Sequence, residues 1–161
     1  MRVLFLGDIV GKSGRLQLQE SLRNYKDSNK IDFVIANGEN ATSGAGLSPN
    51  HADLIFESGV DCITLGDHAF DQKEIREIIN ENKKIIRPIN FSEESPGRGF
   101  NFFNIKSKKI LVVQVLGRVF MKKKFSDPFP MLDTILENHK LGRKVDCVIV
   151  DVHAEATSEK M

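Results

Sequence analysis

Six short segments hold most of the acidic, amide and imidazole residues that could do chemistry in this chain, and most of them follow an apolar, β-branched run typical of a buried strand. They are G-D-I-V-G at 7–11, N-G-E-N at 37–40, G-D-H at 66–68, R-P-I-N at 87–90, G-R at 117–118 and D-V-H-A-E at 151–155. Open α/β sheets bind ligands at the carboxyl ends of their strands, so these segments are expected to meet at one edge. Converging carboxylates, carboxamides and imidazoles are typical of a catalytic metal centre. The candidate side chains are Asp8, Glu39, Asn40, Asp67, His68 and His153.

Each candidate also has an ordinary structural interpretation when it is taken alone. Asp8 fits a helix N-cap or a turn, Asn40 fits a turn, and His153 fits a hydrogen-bonded core histidine. Acidic residues after three successive strands favour the metal site, because the fold brings those strand ends together. His51 and His139 lie within predicted helices and are expected to be structural.

The donor set also indicates a class of reaction. The two oxygens of Glu39 can bridge two divalent ions roughly 3.5–4 Å apart, which clamp the attacking and leaving oxygens of a phosphoryl displacement. His68 can serve as a ligand or as a general acid to the leaving oxygen. Oxygen and nitrogen ligands suit Fe, Mn, Mg and Zn alike, so the identity of the metal stays open.

The elements that must position these residues follow the order βαβαβαβ, then ββ, then αβ, so we expect a parallel first half with right-handed crossovers. Strands are predicted at 2–6, 32–36, 60–65, 84–88, 100–105, 110–116 and 145–152. The first predicted helix spans 13–25. Later helices are predicted after a Ser48 N-cap, after an Asp71 capping box closed by Glu74, and from Pro130.

Composition sets the broad class. A chain of 161 residues with formal charge +1 predicts one soluble domain without a nucleic-acid or membrane surface. Its longest apolar stretch, 110–116, is too short to span a bilayer, and the run at 3–6 is too short for a signal peptide, so the expected location is cytoplasmic. Cys62 and Cys147 are expected to be reduced core residues. The basic run 122–124 predicts a solvated loop.

The chain stops eight residues after His153, just as Thr157-Ser158-Glu159 begins another element. We therefore expect residues 1–161 to be a single domain that forms the N-terminal portion of a longer parent domain. An unfinished sheet would expose apolar surface, so a homo-oligomer is possible.

The segment G-D-I-V-G-K-S at 7–13 offers an alternative, because it is close to a P-loop. A P-loop needs four residues between its glycines, and this segment has three. Asp8 would also direct a carboxylate toward the phosphates. A P-loop NTPase would lose its affinity for ATP on Lys12→Ala.

Taken together, the motifs resemble those of the calcineurin-like metallophosphoesterases, and they are most similar to the YmdB-like branch of bacterial phosphodiesterases. G-D-I-V-G, N-G-E-N-A, R-P-I-N-F, L-G-R and D-V-H-A-E-A-T-S-E-K occur in the order of that family across essentially the whole chain. The resemblance implies an α/β fold: a β-sandwich flanked by helices in four αββα layers, here incomplete at the C-terminus.

The resemblance also assigns roles to the candidate residues. It implies that Asp8 and Glu39 hold a first metal and that Glu39 bridges to a second, which Asp67 and His153 also bind. His68 matches the residue that assists the leaving group, and Asn40 lines the site. The implied activity is phosphodiester hydrolysis, with cyclic nucleotides among the substrates, by a hydroxide held between two divalent metal ions.

Two departures from the family pattern bear on activity. Position 67 is Asp where the family has Asn, which changes a site charge of about +1 to about zero and weakens attraction for a phosphodiester. The family's later His-x-His segment, which supplies further metal ligands, is absent from the sequence. The alternative function is therefore a catalytically impaired or non-catalytic protein that binds metal or nucleotide and has a regulatory role.

Overall fold

A computed structural model describes all residues from 1 to 161. Its elements in chain order are β1 (Val3–Asp8), α1 (Gly11–Ser28), β2 (Phe33–Asn37), α2 (Pro49–Glu57), β3 (Cys62–Thr64), α3 (Ile75–Ile78), β4 (Ile85–Ile86), β5 (Phe100–Ile105), β6 (Lys108–Leu116), α4 (Pro128–Asn138) and β7 (Cys147–His153). A 3-10 turn follows at Thr157–Glu159. The predicted order of strands and helices is confirmed.

The strands form two sheets. The first sheet has the order β1-β2-β3-β4, and all of its pairs are parallel. The second has the order β5-β6-β7, in which β5 and β6 form an antiparallel hairpin and β6 pairs with β7 in parallel. Parallel pairing sends the carboxyl ends of β1, β2 and β3 to one edge, as the candidate residues require.

The alternation along β2 shows how the sheets are covered. Phe33 and Ile35 face the second sheet, while Val34 and Ala36 face the helices, and all four are fully buried. A strand that is apolar on both faces is typical of a parallel sheet covered on both sides.

Three apolar cores separate four layers. Residues of β2, β3 and β4 meet Ile110 and Val112 of β6 between the sheets. The other face of the first sheet packs against α1 and α2 through Leu18, Leu22 and Ile55. The other face of the second sheet packs against α4. The predicted αββα sandwich is confirmed.

The ends of the helices differ in part from the prediction. The Ser48 N-cap is confirmed, since its Oγ accepts a hydrogen bond from the His51 N–H at 3.4 Å. The capping box at Asp71 is wrong: α3 begins only at Ile75, and the Asp71 carboxylate contacts His68 instead. The last helix begins at Pro128 rather than Pro130, because the Asp127 side chain accepts a hydrogen bond from the Phe129 N–H.

The remaining histidines and cysteines have structural contacts. The His51 imidazole bonds the Thr42 hydroxyl at 2.7 Å, and the His139 ring lies 4.8 Å from the Phe102 ring. Both cysteines are free thiols; Cys62 is fully buried between the sheets, where burial raises the pKa of its thiol, and Cys147 packs at the margin of the same core. None of the helices is both long and apolar enough to cross a bilayer.

The inter-sheet core predicts a large cost for truncating Phe33, whose ring lies 4.9 Å from that of Phe103. We expect Phe33→Ala to lower the free energy of unfolding by about 3–5 kcal/mol, because the cavity adds to the lost transfer energy. Urea denaturation measures this value. Phe129→Ala is the control, because Phe129 is 70% exposed and its truncation should cost no more than about 0.5 kcal/mol. Equal losses in the two variants would contradict this packing.

Candidate metal centre

The ends of four strands position the candidate residues. Asp8 ends β1, and the other acidic segments follow β2 and β3 within a few residues. His153 ends β7 of the second sheet. The site therefore lies where the carboxyl ends of the two sheets meet.

Three of the predicted ligands form a compact cluster. One ligand atom from each of Glu39, Asp67 and His153 lies within 4.8 Å of the others. The His153 Nε2 is 3.0 Å from Glu39 Oε1 and 3.4 Å from Asp67 Oδ1. Glu39 is only 1% exposed, so its carboxylate is held away from bulk water.

Gly66 makes this close approach sterically possible. A Cβ at position 66 would lie 1.8 Å from Glu39 Oε2 and 3.0 Å from the His153 ring. The glycine of the G-D-H segment is therefore required because the carboxylate of Glu39 packs directly against the backbone there.

Asn40 connects the cluster to Asp8. Its Nδ2 donates to Asp8 Oδ2 at 2.7 Å and to Glu39 Oε1 at 3.1 Å. Asp8 itself is exposed and lies outside the three-residue cluster, which it reaches through this amide. The structure thus brings all of the predicted site residues into one neighbourhood, with Asp8 at its margin.

His68 lies beside the cluster and has a partner that the sequence analysis missed. Its Nδ1 is 2.5 Å from Asp71 Oδ2, and its Nε2 is 3.9 Å from Asp67 Oδ2. The hydrogen bond to Asp71 raises the pKa of His68, although partial burial opposes the charged form. The spacing of three residues between His68 and Asp71 was the available signal, but it also fitted a helix cap.

A second missed residue, Asp151, lies beneath the site. Its Oδ2 accepts hydrogen bonds from the Thr64 hydroxyl at 2.6 Å and from Asn37 Nδ2 at 3.4 Å. Asn37 Oδ1 in turn accepts the Glu39 N–H at 3.2 Å. Burial raises the pKa of Asp151, and these donors partly oppose that rise. Its place two residues before His153, on the same face of β7, was the signal in the sequence.

The donor chemistry of the cluster fits a divalent cation. Burial disfavours the charged imidazolium of His153, but the hydrogen bond and charge of Glu39, together with the charge of Asp67, outweigh it and raise the pKa of His153. Carboxylate oxygens and an imidazole nitrogen at these separations are the ligands of Zn, Mn and Fe sites. A buried carboxylate such as that of Glu39 is stabilised by positive charge, which a cation bound at this cluster would add.

Two bacterial relatives match almost the entire chain. A 2′,3′-cyclic-nucleotide 2′-phosphodiesterase of Bacillus subtilis is 38% identical over 100% of this chain and 60% of its own length. A putative phosphatase/phosphodiesterase of Mycoplasma genitalium is 37% identical over 99% of this chain and 57% of its own length. The chain therefore spans about three fifths of the length of these relatives.

Solved structures confirm the fold. A hypothetical protein of Thermus thermophilus superposes with a TM-score of 0.91 at 44% identity, over 100% of this chain and 61% of that one. A putative 5′-nucleotidase of Staphylococcus aureus superposes with a TM-score of 0.64 at 19% identity, over 94% of this chain and 36% of that one. The fold is thus of the metallophosphoesterase type.

The family assignment also decides against a P-loop at residues 7–13. The helix α1 begins at Gly11, and the Asp8 carboxylate before it bonds Asn40 of the acidic site. The model of YmdB-like proteins matches residues 4–161, and the chain belongs to the YmdB-like family.

Proposed function

We propose that the protein hydrolyses phosphodiester bonds, with cyclic nucleotides as substrates, by means of two divalent ions bound at the strand ends. The observation that carries this proposal is the cluster of Glu39, Asp67 and His153, whose ligand atoms lie within 4.8 Å of one another. The name of the Bacillus subtilis relative supports the substrate class.

The geometry around Glu39 favours a bridging role. Its Oε1 faces His153 and Asn40, while its Oε2 lies 3.4 Å from the His68 backbone N–H, so the two oxygens point to different neighbours. In this proposal Asp8 and Glu39 would hold one ion, and Glu39, Asp67 and His153 would hold the other. Divalent ions bound there would supply an activated water and offset the charge of the phosphate.

In this proposal His68 delivers a proton to the leaving oxygen. The bond from its Nδ1 to Asp71 fixes the ring, so that the Nε2 is directed toward Asp67 and the centre of the site. Asn40 lines the same site, and its amide holds the carboxylates of Asp8 and Glu39 close to each other.

Asp67 favours a second candidate function, a catalytically impaired protein that binds metal or nucleotide. Its carboxylate adds negative charge 3.4 Å from the His153 Nε2, where a neutral amide would add none. Extra negative charge repels an anionic phosphodiester and makes a bound water less acidic. The number and identity of the ions, the cytoplasmic location and a homo-oligomer stay predictions.

The metal proposal predicts that Glu39→Gln weakens Mn²⁺ binding by at least about 100-fold, because it removes the shared carboxylate charge. Titration calorimetry on the metal-free protein measures the affinity, and circular dichroism checks that the variant is folded. Glu20→Gln removes the same charge from the exposed surface of α1 and should bind Mn²⁺ as the wild type does. Equal affinities in the two variants would rule out Glu39 as a ligand.

The proposed role of His68 predicts a loss of turnover. In the natural gene product with Mn²⁺ present, we expect hydrolysis of 2′,3′-cyclic AMP, and His68→Ala should reduce kcat by about 10²–10⁴-fold. The matched control is His51→Ala, because His51 lies in α2 and its imidazole bonds the Thr42 hydroxyl. A gene product that cleaves no phosphodiester with Mn²⁺ or Fe²⁺ would refute the proposal.

A third variant separates the two candidate functions. Asp67→Asn in the natural gene product removes one negative charge and should raise kcat/KM for 2′,3′-cyclic AMP, because the site then attracts the phosphodiester more strongly. Steady-state kinetics at fixed Mn²⁺ measures the change. Nucleotide binding without hydrolysis, in both the wild type and Asp67→Asn, would instead support the non-catalytic protein.

A further inference from the structure

A cavity lies along the loop of residues 117–127, which follows β6 and passes beside the metal centre. Its volume is about 450 Å³. Its lining combines three cationic side chains, Arg118, Lys123 and Lys124, with three apolar ones, Val119, Met121 and Phe125. No residue of this lining belongs to the proposed metal ligands or to the His68–Asp71 pair.

The 117–127 loop contacts the region of the metal centre at two points, one at His153 and one at Asp71. At its start, the Gly117 N–H donates to the His153 carbonyl at 2.8 Å. Further along, Lys123 Nζ lies 3.7 Å from Asp71 Oδ1, and the other oxygen of that carboxylate bonds His68. The loop that lines the cavity therefore lies directly beside the metal centre.

Side chains from two distant motifs fix the shape of the loop. The Glu159 carboxylate accepts the backbone N–H groups of Arg118 at 2.8 Å and Val119 at 3.0 Å. Asn90 is 1% exposed, and its Nδ2 donates to the carbonyls of Leu116 at 2.9 Å and Ser126 at 3.0 Å. Both ends of the loop are thus anchored, so the cavity is a feature of the fold.

The charge of the lining favours an anion. Arg118 pairs with Asp127 at 3.3 Å, and Lys123 makes its contact with Asp71, but Lys124 forms no salt bridge. The one acidic side chain in the lining is Glu159, whose oxygens are already bonded by backbone amides. Neighbouring cations beside an apolar wall concentrate anionic ligands.

An exposed aromatic ring adds a surface for stacking. Phe120 is 83% exposed, and its φ of +64° lies in the left-handed region that non-glycine residues rarely adopt. Such a conformation is unfavourable for a side chain of this kind and persists only where the surroundings impose it. Nucleobases stack on exposed aromatic rings with little dependence on base identity.

We propose that the 117–127 cavity binds the nucleotide unit next to the scissile phosphodiester. Its base packs on the apolar lining residues and on Phe120, which lies between two of them in the chain, and its uncleaved phosphate binds Lys123 and Lys124. This inference rests on the proposed function and adds a second binding determinant to it. Among phosphodiesters that reach the metal centre, short nucleotides with an additional phosphate should bind more tightly than cyclic mononucleotides, which have no second phosphate for the lysines.

The test is calorimetric binding of two dinucleotides to the natural gene product. The probes are ApA and pApAp, each with a methylenephosphonate in place of the bridging phosphodiester so that neither is cleaved. We expect pApAp to bind about tenfold more tightly, since its additional phosphates can pair with the exposed cations of Lys123 and Lys124. The Lys123→Met/Lys124→Met variant should lose this preference.

Two control variants keep the test specific. Lys140→Met/Lys144→Met removes the same charge from an exposed region beyond α4 and should keep the preference for pApAp. Phe120→Ala should weaken both dinucleotides by about fivefold or more through lost stacking, whereas Phe129→Ala should not. Equal affinities for ApA and pApAp, or identical behaviour of the two lysine pairs, would overturn the inference.

The result is also separable from the test of the proposed function. If the protein is not a phosphodiesterase, 2′,3′-cyclic AMP stays uncleaved while the dinucleotide preference and its dependence on Lys123 and Lys124 persist. If the protein is a phosphodiesterase but the cavity does not bind a second nucleotide, hydrolysis is observed while the two dinucleotides bind equally.

Discussion

The buried carboxylate of Glu39 is the constraint on which the site depends. A carboxylate that is 1% exposed is costly unless charge and hydrogen bonds compensate for its desolvation. Asn40, the His68 backbone N–H and the His153 imidazole supply that compensation from three different segments. The absence of a side chain at Gly66 leaves the space that the carboxylate fills. The local structure after β2, β3 and β7 is thus organised around one acidic group.

The two sheets contribute to the centre together. β1, β2 and β3 carry the acidic residues, but His153 comes from β7 of the opposite sheet. Asp151 joins the layers below the site, because it accepts hydrogen bonds from Thr64 and Asn37 of the first sheet. Asn37 then bonds the backbone of Glu39. The stacking of the sheets is therefore coupled, through Asp151 and Asn37, to the position of the proposed bridging ligand.

The sequence predicted the strand ends well because apolar β-branched runs are strong local signals and parallel pairing follows from the alternation with helices. It did not predict the partners of those residues. Asp71 is followed by Glu74 at the spacing of a capping box. Nothing local shows that the turn after Gly66 instead brings the His68 Nδ1 to 2.5 Å from the Asp71 carboxylate. Asp151 shares a face of β7 with His153, which the sequence shows, but its contacts with Thr64 and Asn37 depend on how the two sheets stack, which is a long-range property. The roles of Asp8 and Asn40 came from family resemblance, since a lone Asp or Asn at a turn is ambiguous.

Several motif residues lie away from the metal centre, and the structure gives them a common task. Asn90 of R-P-I-N and Glu159 of T-S-E-K both bind backbone groups at the ends of the 117–127 loop. They hold a loop that carries Lys123 and Lys124 near the acidic centre, where Lys123 Nζ lies 3.7 Å from Asp71 Oδ1. The strand ends concentrate negative charge that attracts cations, while the loop adds nearby positive charge that attracts phosphate. A metal-dependent enzyme that acts on an anion needs both, because carboxylates that bind the metal repel the substrate unless cations lie next to them.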